Sequence, residues 1–239
     1  MNRFQNKYKS YLLLNHKING IFLIRGIEDC ITTKNLIPGS KTFSETSFIL
    51  DNSKDNSEFR VWNPFRSKIS AAVLNGICRL NIKENDSVLY LGASTGSTIS
   101  HISDIIGYKG IVFAIEKEQK CSQKLFWSSF KRKNIIPVIE DARFPLRYRM
   151  IVPVVDIIII DISQLDQSRI LALNSFFYLR KYGCFLFIIK MNSLNSSSPK
   201  EIIISKEIMK LNRMGFHIKE QITLEPFVKD HVLLRGYYI

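Results

Sequence analysis

Residues 88–98 read Val-Leu-Tyr-Leu-Gly-Ala-Ser-Thr-Gly-Ser-Thr. The apolar run predicts a buried strand that stops at Gly92, turns through small residues to Gly96, and enters a helix at Ser97 and Thr98. Glycines let the backbone approach a ligand closely, and the first turn of a helix offers unpaired N–H groups. This order of strand, loop and helix predicts a nucleotide-binding site, with an ordinary tight turn as the alternative.

Polar residues follow the later apolar runs as well. The run Ile111–Ile115 ends in Glu116, at the distance expected of a carboxylate that binds a ribose in such a site. The third, fourth and fifth runs are followed by Asp141 and Ala142, by Asp161 and Gln164, and by Lys190. Ligands bind beyond the carboxyl ends of parallel strands, so these positions predict one shared site. The alternatives are helix N-caps for the acids and a surface position for the lysine.

From Ser87 onward, apolar runs alternate with amphipathic stretches, which predicts βαβ units around a parallel sheet. The seven predicted strands are Val88–Leu91, Ile111–Ile115, Ile135–Ile139, Val155–Ile160, Phe185–Ile189, His217–Thr223 and Val232–Tyr238. The last two are joined by a short loop, and we expect them to pair antiparallel at one edge of the sheet.

The first part of the chain has short β-favouring runs instead. They are residues 21–25, 47–50 and Phe59–Trp62, with turn-forming residues at Pro38-Gly39 and Asp51–Asp55. Residues 66–80 place apolar side chains on one helical face and predict a helix. We therefore expect a small β-rich domain over residues 1–65. Residues 66–239 should form an α/β domain with a seven-stranded Rossmann-like sheet and helices on both faces.

Composition limits the class of protein. The 239 residues carry a net charge of +13, which favours a polyanionic partner such as RNA; a basic solubilising surface or an AT-rich genome would give the same balance. The four cysteines are widely spaced, which predicts reduced thiols rather than disulfides or a zinc site. With no signal peptide and no membrane-length apolar run, we expect a soluble intracellular protein that binds neither membrane nor metal.

The sequence lacks the characteristic motifs of several enzyme classes. The sequence contains no phosphate loop ending in Gly-Lys-Ser/Thr and no Gly-x-Ser-x-Gly elbow, which disfavours nucleoside triphosphate hydrolysis and an α/β-hydrolase. His101 falls in the middle of the helix that follows the glycine loop. We interpret it as a structural residue rather than a catalytic one.

Four motifs in order carry a resemblance to a known family. They are Trp62-Asn63-Pro64-Phe65-Arg66-Ser67-Lys68, residues 88–98, Asn-Ile-Ile-Pro-Val-Ile-Glu-Asp-Ala-Arg at 134–143, and residues 224–231 with Leu-Glu-Pro-Phe and Asp-His. They closely resemble the fibrillarin family, the S-adenosylmethionine-dependent RNA 2′-O-methyltransferases of box C/D guide particles. The similarity runs from about Gly20 to the C-terminus. It implies a β-rich N-terminal domain and a seven-stranded methyltransferase domain.

The resemblance also implies site residues. The cofactor S-adenosyl-L-methionine would contact Gly92 in the loop and Lys117. Ser97 and Thr98 would line its methionine end, and Glu116 would bind its ribose. Asp141 and Ala142 would flank its adenine, and Asp161 to Gln164 would lie near its sulfonium. The family's catalytic set would fall on Lys68, Asp161, Lys190 and His231.

The physics of methyl transfer is consistent with that set. A ribose 2′-hydroxyl is a poor nucleophile at neutral pH, and transfer from a sulfonium requires in-line alignment more than acid catalysis. A lysine can take the hydroxyl proton as an amine or stabilise the developing alkoxide as a cation. Asp161 would orient Lys190 and the hydroxyl, while Lys68 would help hold the target nucleotide.

The resemblance also implies binding partners and a cellular location for the protein. We expect a box C/D guide RNA, a ribosomal RNA substrate, a Nop-type scaffold protein, and a place in the nucleus, in the nucleolus or an equivalent compartment. Basic residues expected to contact the RNA backbone are Lys131, Arg132, Lys133, Arg143, Arg147 and Arg149. Two alternatives remain: a fibrillarin-like assembly subunit without catalytic activity, and a small-molecule methyltransferase.

Three features differ from the family pattern. Eukaryotic members usually begin with a glycine- and arginine-rich tail, and the residues before Gly20 do not have that composition. Leu165 stands where the family has a proline, and the loop Met191–Ser198 has a different sequence. We expect the last two differences to change the substrate side of the site.

Overall fold

The computed structural model describes residues 2–6, 9–26, 29–40, 45–49, 57–191 and 199–239. The expected turn Asp51–Asp55 and all but the first residue of the loop Met191–Ser198 lie outside these ranges. The strands are β1 (Asn2–Asn6), β2 (Lys9–Asn15), β3 (Ile21–Arg25), β4 (Cys30–Lys34), β5 (Ser47–Ile49), β6 (Glu58–Val61), β7 (Ser87–Leu91), β8 (Ile111–Ile115), β9 (Ile135–Val138), β10 (Val155–Ile160), β11 (Leu179–Lys190), β12 (Phe216–Thr223) and β13 (His231–Tyr238). The helices are α1 (Lys68–Leu74), α2 (Ser97–Ile106), α3 (Gln119–Lys131), α4 (Gln167–Tyr178) and α5 (Lys200–Arg213), with a 3-10 helix at Pro145–Tyr148.

The larger sheet has seven strands in the order β12-β13-β11-β10-β7-β8-β9. Strands β7 to β11 pair in parallel, whereas β13 runs antiparallel to both of its neighbours, β11 and β12. This confirms the predicted α/β class and the antiparallel pair at one edge. The strand bounds differ most at β11, which begins at Leu179 rather than Phe185.

Helices cover both faces of this sheet, which explains why its strands are continuously apolar. Along β7, Val88 and Tyr90 pack into one core with residues of α1, α2 and α3, while Leu89 and Leu91 pack into a second core with residues of α4 and α5. Each successive side chain of the strand is therefore buried on one side or the other.

The N-terminal sheet is antiparallel throughout, with the order β1-β2-β3-β4-β6-β5. The three predicted runs correspond to β3, β5 and β6, with residue 50 outside the described ranges. Strands β1, β2 and β4 were not predicted from the sequence. Strand β4 was missed because its sequence, Cys-Ile-Thr-Thr-Lys, lacks an apolar alternation, although Thr32 and Thr33 are buried.

The helix expected over residues 66–80 is shorter than predicted. It ends at Leu74 because Gly76 adopts a φ of 93°, a left-handed conformation that glycine tolerates and that ends helices. The Ile77 amide then donates to the Ala72 carbonyl at 3.0 Å and closes the last turn. Ile77 is still fully buried, so the apolar pattern continued past the end of the helix.

A buried ionic cluster joins the two sheets. The Asp104 carboxylate on α2 accepts hydrogen bonds from Arg60 Nη2 on β6 at 2.6 Å and from Arg132 Nη1, just after α3, at 2.5 Å. Thr33 Oγ1 and the Leu36 amide also donate to it, both at 2.9 Å. Burial acts to raise the pKa of Asp104, but the two guanidinium charges outweigh it and hold that pKa below its ordinary value.

This cluster corrects the expectation for Arg132. Its side chain is 1% exposed and bonded to Asp104, so it is unavailable to an RNA backbone. Lys131, Lys133, Arg143, Arg147 and Arg149 do lie on the surface. His101 is buried, stacks on Trp62 with ring centroids 5.1 Å apart, and bonds Thr33 Oγ1 at 2.8 Å. This buried environment agrees with the structural role expected for His101.

Replacing Asp104 with alanine should destabilise the protein by roughly 3–5 kcal/mol, because two buried guanidinium groups lose their shared carboxylate. Urea unfolding measures the loss. Asp166→Ala is the matched control, since it removes an ion pair to Arg169 whose side chains are 40% and 59% exposed. The control should change stability little. Equal effects of the two substitutions would contradict the structural role of the cluster.

Candidate functional site

The loop after β7 brings two strand ends into close contact. Gly92 has a φ of 88°, and a Cβ built on it would lie 2.3 Å from the Asp161 carbonyl oxygen at the end of β10. The Asp161 amide donates to the Leu91 carbonyl at 2.9 Å, and the Gly92 and Ala93 amides both donate to the Ile115 carbonyl at 3.0 Å. Only glycine fits at position 92, and the loop is tied to the strands on both sides.

Glu116 is held at the end of β8 by two backbone groups. Its Oε2 accepts from the Ser94 amide at 2.7 Å, and its Oε1 accepts from the Glu118 amide at 2.8 Å. The carboxylate is therefore fixed between the glycine loop and the start of α3. A carboxylate oxygen has two lone pairs, so each oxygen can still accept a bond from a ligand hydroxyl.

These elements border a cleft at the carboxyl edge of the sheet, with about 610 Å³ of space partly open to solvent. Most of the predicted cofactor-binding residues line it: Gly92, Glu116, Lys117, Asp141, Ala142, Asp161 and Gln164. The cleft is also lined by Ile162 and Ser163, which fall within the predicted range Asp161 to Gln164, and by four residues that were not predicted to bind the cofactor: Ser94, Ile115, Glu140 and Arg143. Ile115, Glu140 and Arg143 are direct chain neighbours of predicted residues, and Ser94 lies in the glycine loop between Gly92 and Ser97, so position in the chain was the available signal.

The other two predicted cofactor residues lie elsewhere. Ser97 lines a neighbouring pocket together with Glu45, Trp62 and Arg66. Thr98 donates from Oγ1 to Ser67 Oγ at 3.0 Å. Their assignment to the methionine end of the cofactor stays a prediction.

Asp141 lies beside two cationic side chains at the cleft. Arg143 donates to it through Nε and Nη2, at 3.0 and 2.7 Å from Oδ2, and Lys117 Nζ lies 3.7 Å away. The hydrogen bonds from Arg143 hold the pKa of Asp141 below its ordinary value. This acid is ionised at neutral pH and forms a polar edge to the cleft.

Lys68 forms an ion pair with Asp161 at the border of the cleft, with Nζ 2.5 Å from Oδ1. Lys68 is the first residue of α1, and its position follows from the cap of that helix. Ser67 Oγ accepts from the Ser70 amide, and Ser70 Oγ donates to the Trp62 carbonyl. The start of the helix is thus bonded to the segment before it, which places Lys68 against the end of β10.

Lys190 and His231 lie opposite each other where β11 pairs with β13. The loop before His231 is fixed by Asn75, whose Nδ2 donates to the Thr223 and Glu225 carbonyls at 2.6 and 2.8 Å. Lys200 adds an ion pair with Asp230 at 2.6 Å. The four predicted catalytic residues are thereby brought to one end of the sheet.

The His231 ring is neutral at physiological pH. Burial lowers its pKa, and the charges of Lys68 and Lys190 lower it further, against opposing contributions from the Lys229 carbonyl and Asp161. Nδ1 lies 2.6 Å from the Lys229 carbonyl oxygen and donates to it. Nε2 therefore carries the lone pair and can accept a hydrogen bond.

Tyr90 is a further polar group under the site that the sequence analysis missed. Its hydroxyl is buried near Thr98 and Asp161, and burial together with the Asp161 charge raises its pKa well above the ordinary value. It therefore stays protonated and can donate to Asp161. The available signal was a hydroxyl-bearing residue inside the otherwise aliphatic run of β7.

Within the described ranges, no group of three or more His, Cys, Asp or Glu side chains is placed to hold a metal ion. No helix in the same ranges is long and apolar enough to cross a membrane.

Comparisons with known proteins agree with one another. The Fibrillarin family model matches residues 13–239. The rat protein named rRNA 2′-O-methyltransferase fibrillarin is 43% identical over 230 residues, which cover 96% of this chain and 70% of the rat protein. The Aeropyrum pernix fibrillarin structure with natively bound S-adenosyl-L-methionine is 35% identical, with a TM-score of 0.87 over 94% of this chain and 97% of that one. A fibrillarin/Nop5p complex gives 31% identity and a TM-score of 0.80 over 93% and 99% of the two chains.

The charges around His231 give a test of the site's geometry by NMR titration of the imidazole signals. Lys68→Ala should raise the His231 pKa, because it removes a cation that disfavours the protonated ring. Asp161→Asn should lower it, because it removes an anion that favours the protonated ring. The exposed His217 ring on β12 is the internal control and should not respond. Shifts in the same direction for the two variants would show that these side chains do not surround His231.

Proposed function

The chain belongs to the fibrillarin family, and on that premise we propose how it transfers methyl groups from S-adenosylmethionine to ribose 2′-hydroxyls of ribosomal RNA. In this proposal box C/D RNA guides the reaction within a ribonucleoprotein. The observation that carries it is the Lys68–Asp161 ion pair at the border of the cleft, with Lys190 and His231 at the same end of the sheet. A small-molecule methyltransferase would not need the basic surface that this chain carries.

The cleft fits the cofactor by its chemistry. Glu116 offers two oriented carboxylate oxygens for the ribose hydroxyls, and charge-assisted bonds of this kind are strong. Asp141 and Ala142 border the opposite end, where the adenine would lie. The absence of a side chain at Gly92 leaves the backbone free to approach the ligand. Bound S-adenosylmethionine supplies a methyl group on a positively charged sulfur, and the protein's residues position the acceptor.

Asp161 is the organising group of the reaction. Lys68 hydrogen-bonds to its carboxylate, and the Asp161 amide is bonded to the Leu91 carbonyl, so the group is held in place before any substrate enters. A fixed carboxylate can orient the ribose hydroxyl along the line through the methyl carbon and the sulfur. With S-adenosylmethionine bound, methyl transfer would exchange a carbon–sulfur bond for an oxygen–carbon bond, and the hydroxyl proton would have to leave.

We assign the handling of that proton to Lys190. As an amine it accepts the proton, and as a cation it stabilises the negative charge that develops on the oxygen. The neutral His231 ring can accept a hydrogen bond at Nε2 from the same region without adding positive charge. Lys68 would stay paired with Asp161 and help hold the target nucleotide.

The assembly partners come from the family as well. We propose that a Nop-type scaffold protein docks on the chain, that box C/D guide RNA supplies the sequence specificity, and that the protein works in the nucleolus or an equivalent compartment. We also propose a domain boundary between residues 65 and 66. It would lie just before the Ser67 cap and Lys68.

A fibrillarin-like subunit without catalytic activity is the second candidate. It would keep the fold and the particle contacts but need neither the Lys68–Asp161 ion pair nor a lone pair on His231. Methyl transfer from labelled S-adenosylmethionine to guided RNA, with and without the scaffold proteins, separates the two. Incorporation only at the guided ribose supports the enzyme; cofactor binding without incorporation supports the subunit.

Glu116→Ala should weaken S-adenosylmethionine binding by about 1.5–3 kcal/mol, because two charge-assisted bonds to the ribose are lost. Calorimetry on the purified variant measures this. Glu118→Ala is the control, since Glu118 contributes its backbone amide to the site and its side chain makes no capping bond. Unchanged affinity in Glu116→Ala would exclude Glu116 from the ribose site.

Lys190→Ala should reduce methyl transfer about 10²–10⁴-fold while cofactor binding stays nearly intact, because a positioned proton-transfer group is lost. Adding Asp161→Ala should reduce the rate little further, since groups that act as a unit are not additive. Single-turnover rates on a preassembled guide complex measure both variants.

Lys181→Ala provides the control for this pair, because Lys181 is an exposed lysine near the other end of the same strand. It should keep the parental rate. If Lys190→Ala also kept it, the proton would leave by another route and our assignment would be wrong.

A further inference from the structure

The outer face of α3 exposes three large aromatic side chains. Phe126, Trp127 and Phe130 are 46%, 71% and 51% exposed. Their rings contact one another, with centroids 4.8 Å apart for Phe126 and Phe130 and 5.6 Å apart for Trp127 and Phe130. Leu125 and Ser122 are buried on the opposite side of the helix. The inner side of α3 therefore packs into the core, whereas the three aromatic rings on its outer side contribute little to the core.

Lysines flank these rings. Lys120, Lys124 and Lys131 are exposed on the same helix, and Lys133 is exposed just beyond its end. The spacing from Lys120 to Lys124, Trp127 and Lys131 is four, three and four residues, so these four side chains lie along one stripe of the helix. The helix contains no acidic residue. None of these lysines forms a salt bridge with another residue in the described ranges.

We call the surface formed by these three rings and four lysines the α3 face. It is separate from the cleft. Trp127 lies nine residues after Glu118, the N-cap of α3, which corresponds to about 13 Å along the helix axis away from Glu116. No lysine or ring of the α3 face lines the cleft.

We propose that the α3 face binds single-stranded RNA. Unpaired bases would stack on Trp127 and on the Phe126–Phe130 pair, and the lysines would contact the backbone phosphates. Exposed aromatic rings beside cations are the usual platform for single-stranded nucleic acid, because every base has a flat face and every nucleotide carries a charge. The bases of a duplex are already stacked and present no free face.

Charge favours RNA over the other possible occupants. Protein–protein interfaces are enriched in aromatic residues but depleted in lysine, whereas here lysines surround the rings. A second copy of this chain would bring two lysine-rich faces of a protein with net charge +13 together. A polyanion with flat apolar groups matches both components of the surface.

Intrinsic fluorescence gives a direct readout. The chain has two tryptophans, and Trp62 is 1% exposed, so Trp127 reports contacts made by the surface. An oligouridylate single strand should quench this signal by stacking. Inorganic polyphosphate, which has charge but no bases, and a blunt RNA duplex of the same length should quench it much less.

Variants of the full chain separate stacking from charge. Trp127→Ala should weaken oligouridylate binding about 5- to 100-fold, measured by anisotropy of a labelled strand. Trp127→Phe should restore most of the affinity. Lys124→Ala should reduce the slope of log affinity against log salt by about 0.7. Phe176→Ala is the matched control, because Phe176 is 72% exposed and contacts Phe177 on α4, where the basic residue Arg169 is paired with Asp166. It should leave binding unchanged.

The test does not depend on methyl transfer, so its failure is distinct from failure of the proposed function. Circular dichroism and S-adenosylmethionine binding verify that each variant is folded. Equal affinity for oligouridylate and polyphosphate, or parental affinity in Trp127→Ala, would overturn the proposal. If Trp127→Ala instead weakened binding of a scaffold protein or abolished self-association while oligouridylate affinity stayed constant, the α3 face would be a protein-docking surface.

Discussion

The carboxyl ends of β7 and β10 lie so close together that residue 92 has no room for a side chain. Much of the site depends on this contact. It places the Asp161 backbone against Leu91, which aims the Asp161 side chain toward α1 and Lys68. It also sets the path of the loop that supplies the Ser94 amide to Glu116. One close approach of two strands therefore fixes both the expected ribose carboxylate and the expected catalytic carboxylate.

The helix that follows this loop is secured at its other end by buried charges. Asp104, near the C-terminus of α2, is bonded to Arg60 of the N-terminal sheet and to Arg132 after α3. His101, one turn earlier, stacks on Trp62, whose carbonyl accepts from Ser70 of α1. The N-terminal sheet thus acts on the site from a distance, because it holds the two helices that begin at Ser97 and Lys68.

Short stretches of sequence predicted the elements whose formation depends on the burial of neighbouring residues, and they did not predict contacts between residues far apart in the chain. Strands buried on both faces are continuously apolar, so β7, β8 and β10 were predicted to within a residue of their bounds. Arg132 was misjudged because it stands between two exposed lysines, and its partner Asp104 is far away in the sequence. Tyr90 was missed for a similar reason: its hydroxyl has partners only once Thr98 and Asp161 are brought beneath the cleft. The family resemblance supplied Lys68 and His231, which composition and periodicity did not indicate.

The position of His231 follows from β13, the one strand of the seven-stranded sheet that runs antiparallel to two neighbours. Residues predicted to act at the carboxyl edge of a parallel sheet come at or directly after the ends of their strands, as Glu116, Asp161 and the last residue of β11, Lys190, do. Strand β13 runs antiparallel between β11 and β12, so its first residue, rather than its last, reaches that edge. A search restricted to strand ends cannot find such a residue. The reversal places His231 opposite Lys190, where burial and the charges of Lys68 and Lys190 lower the pKa of the ring.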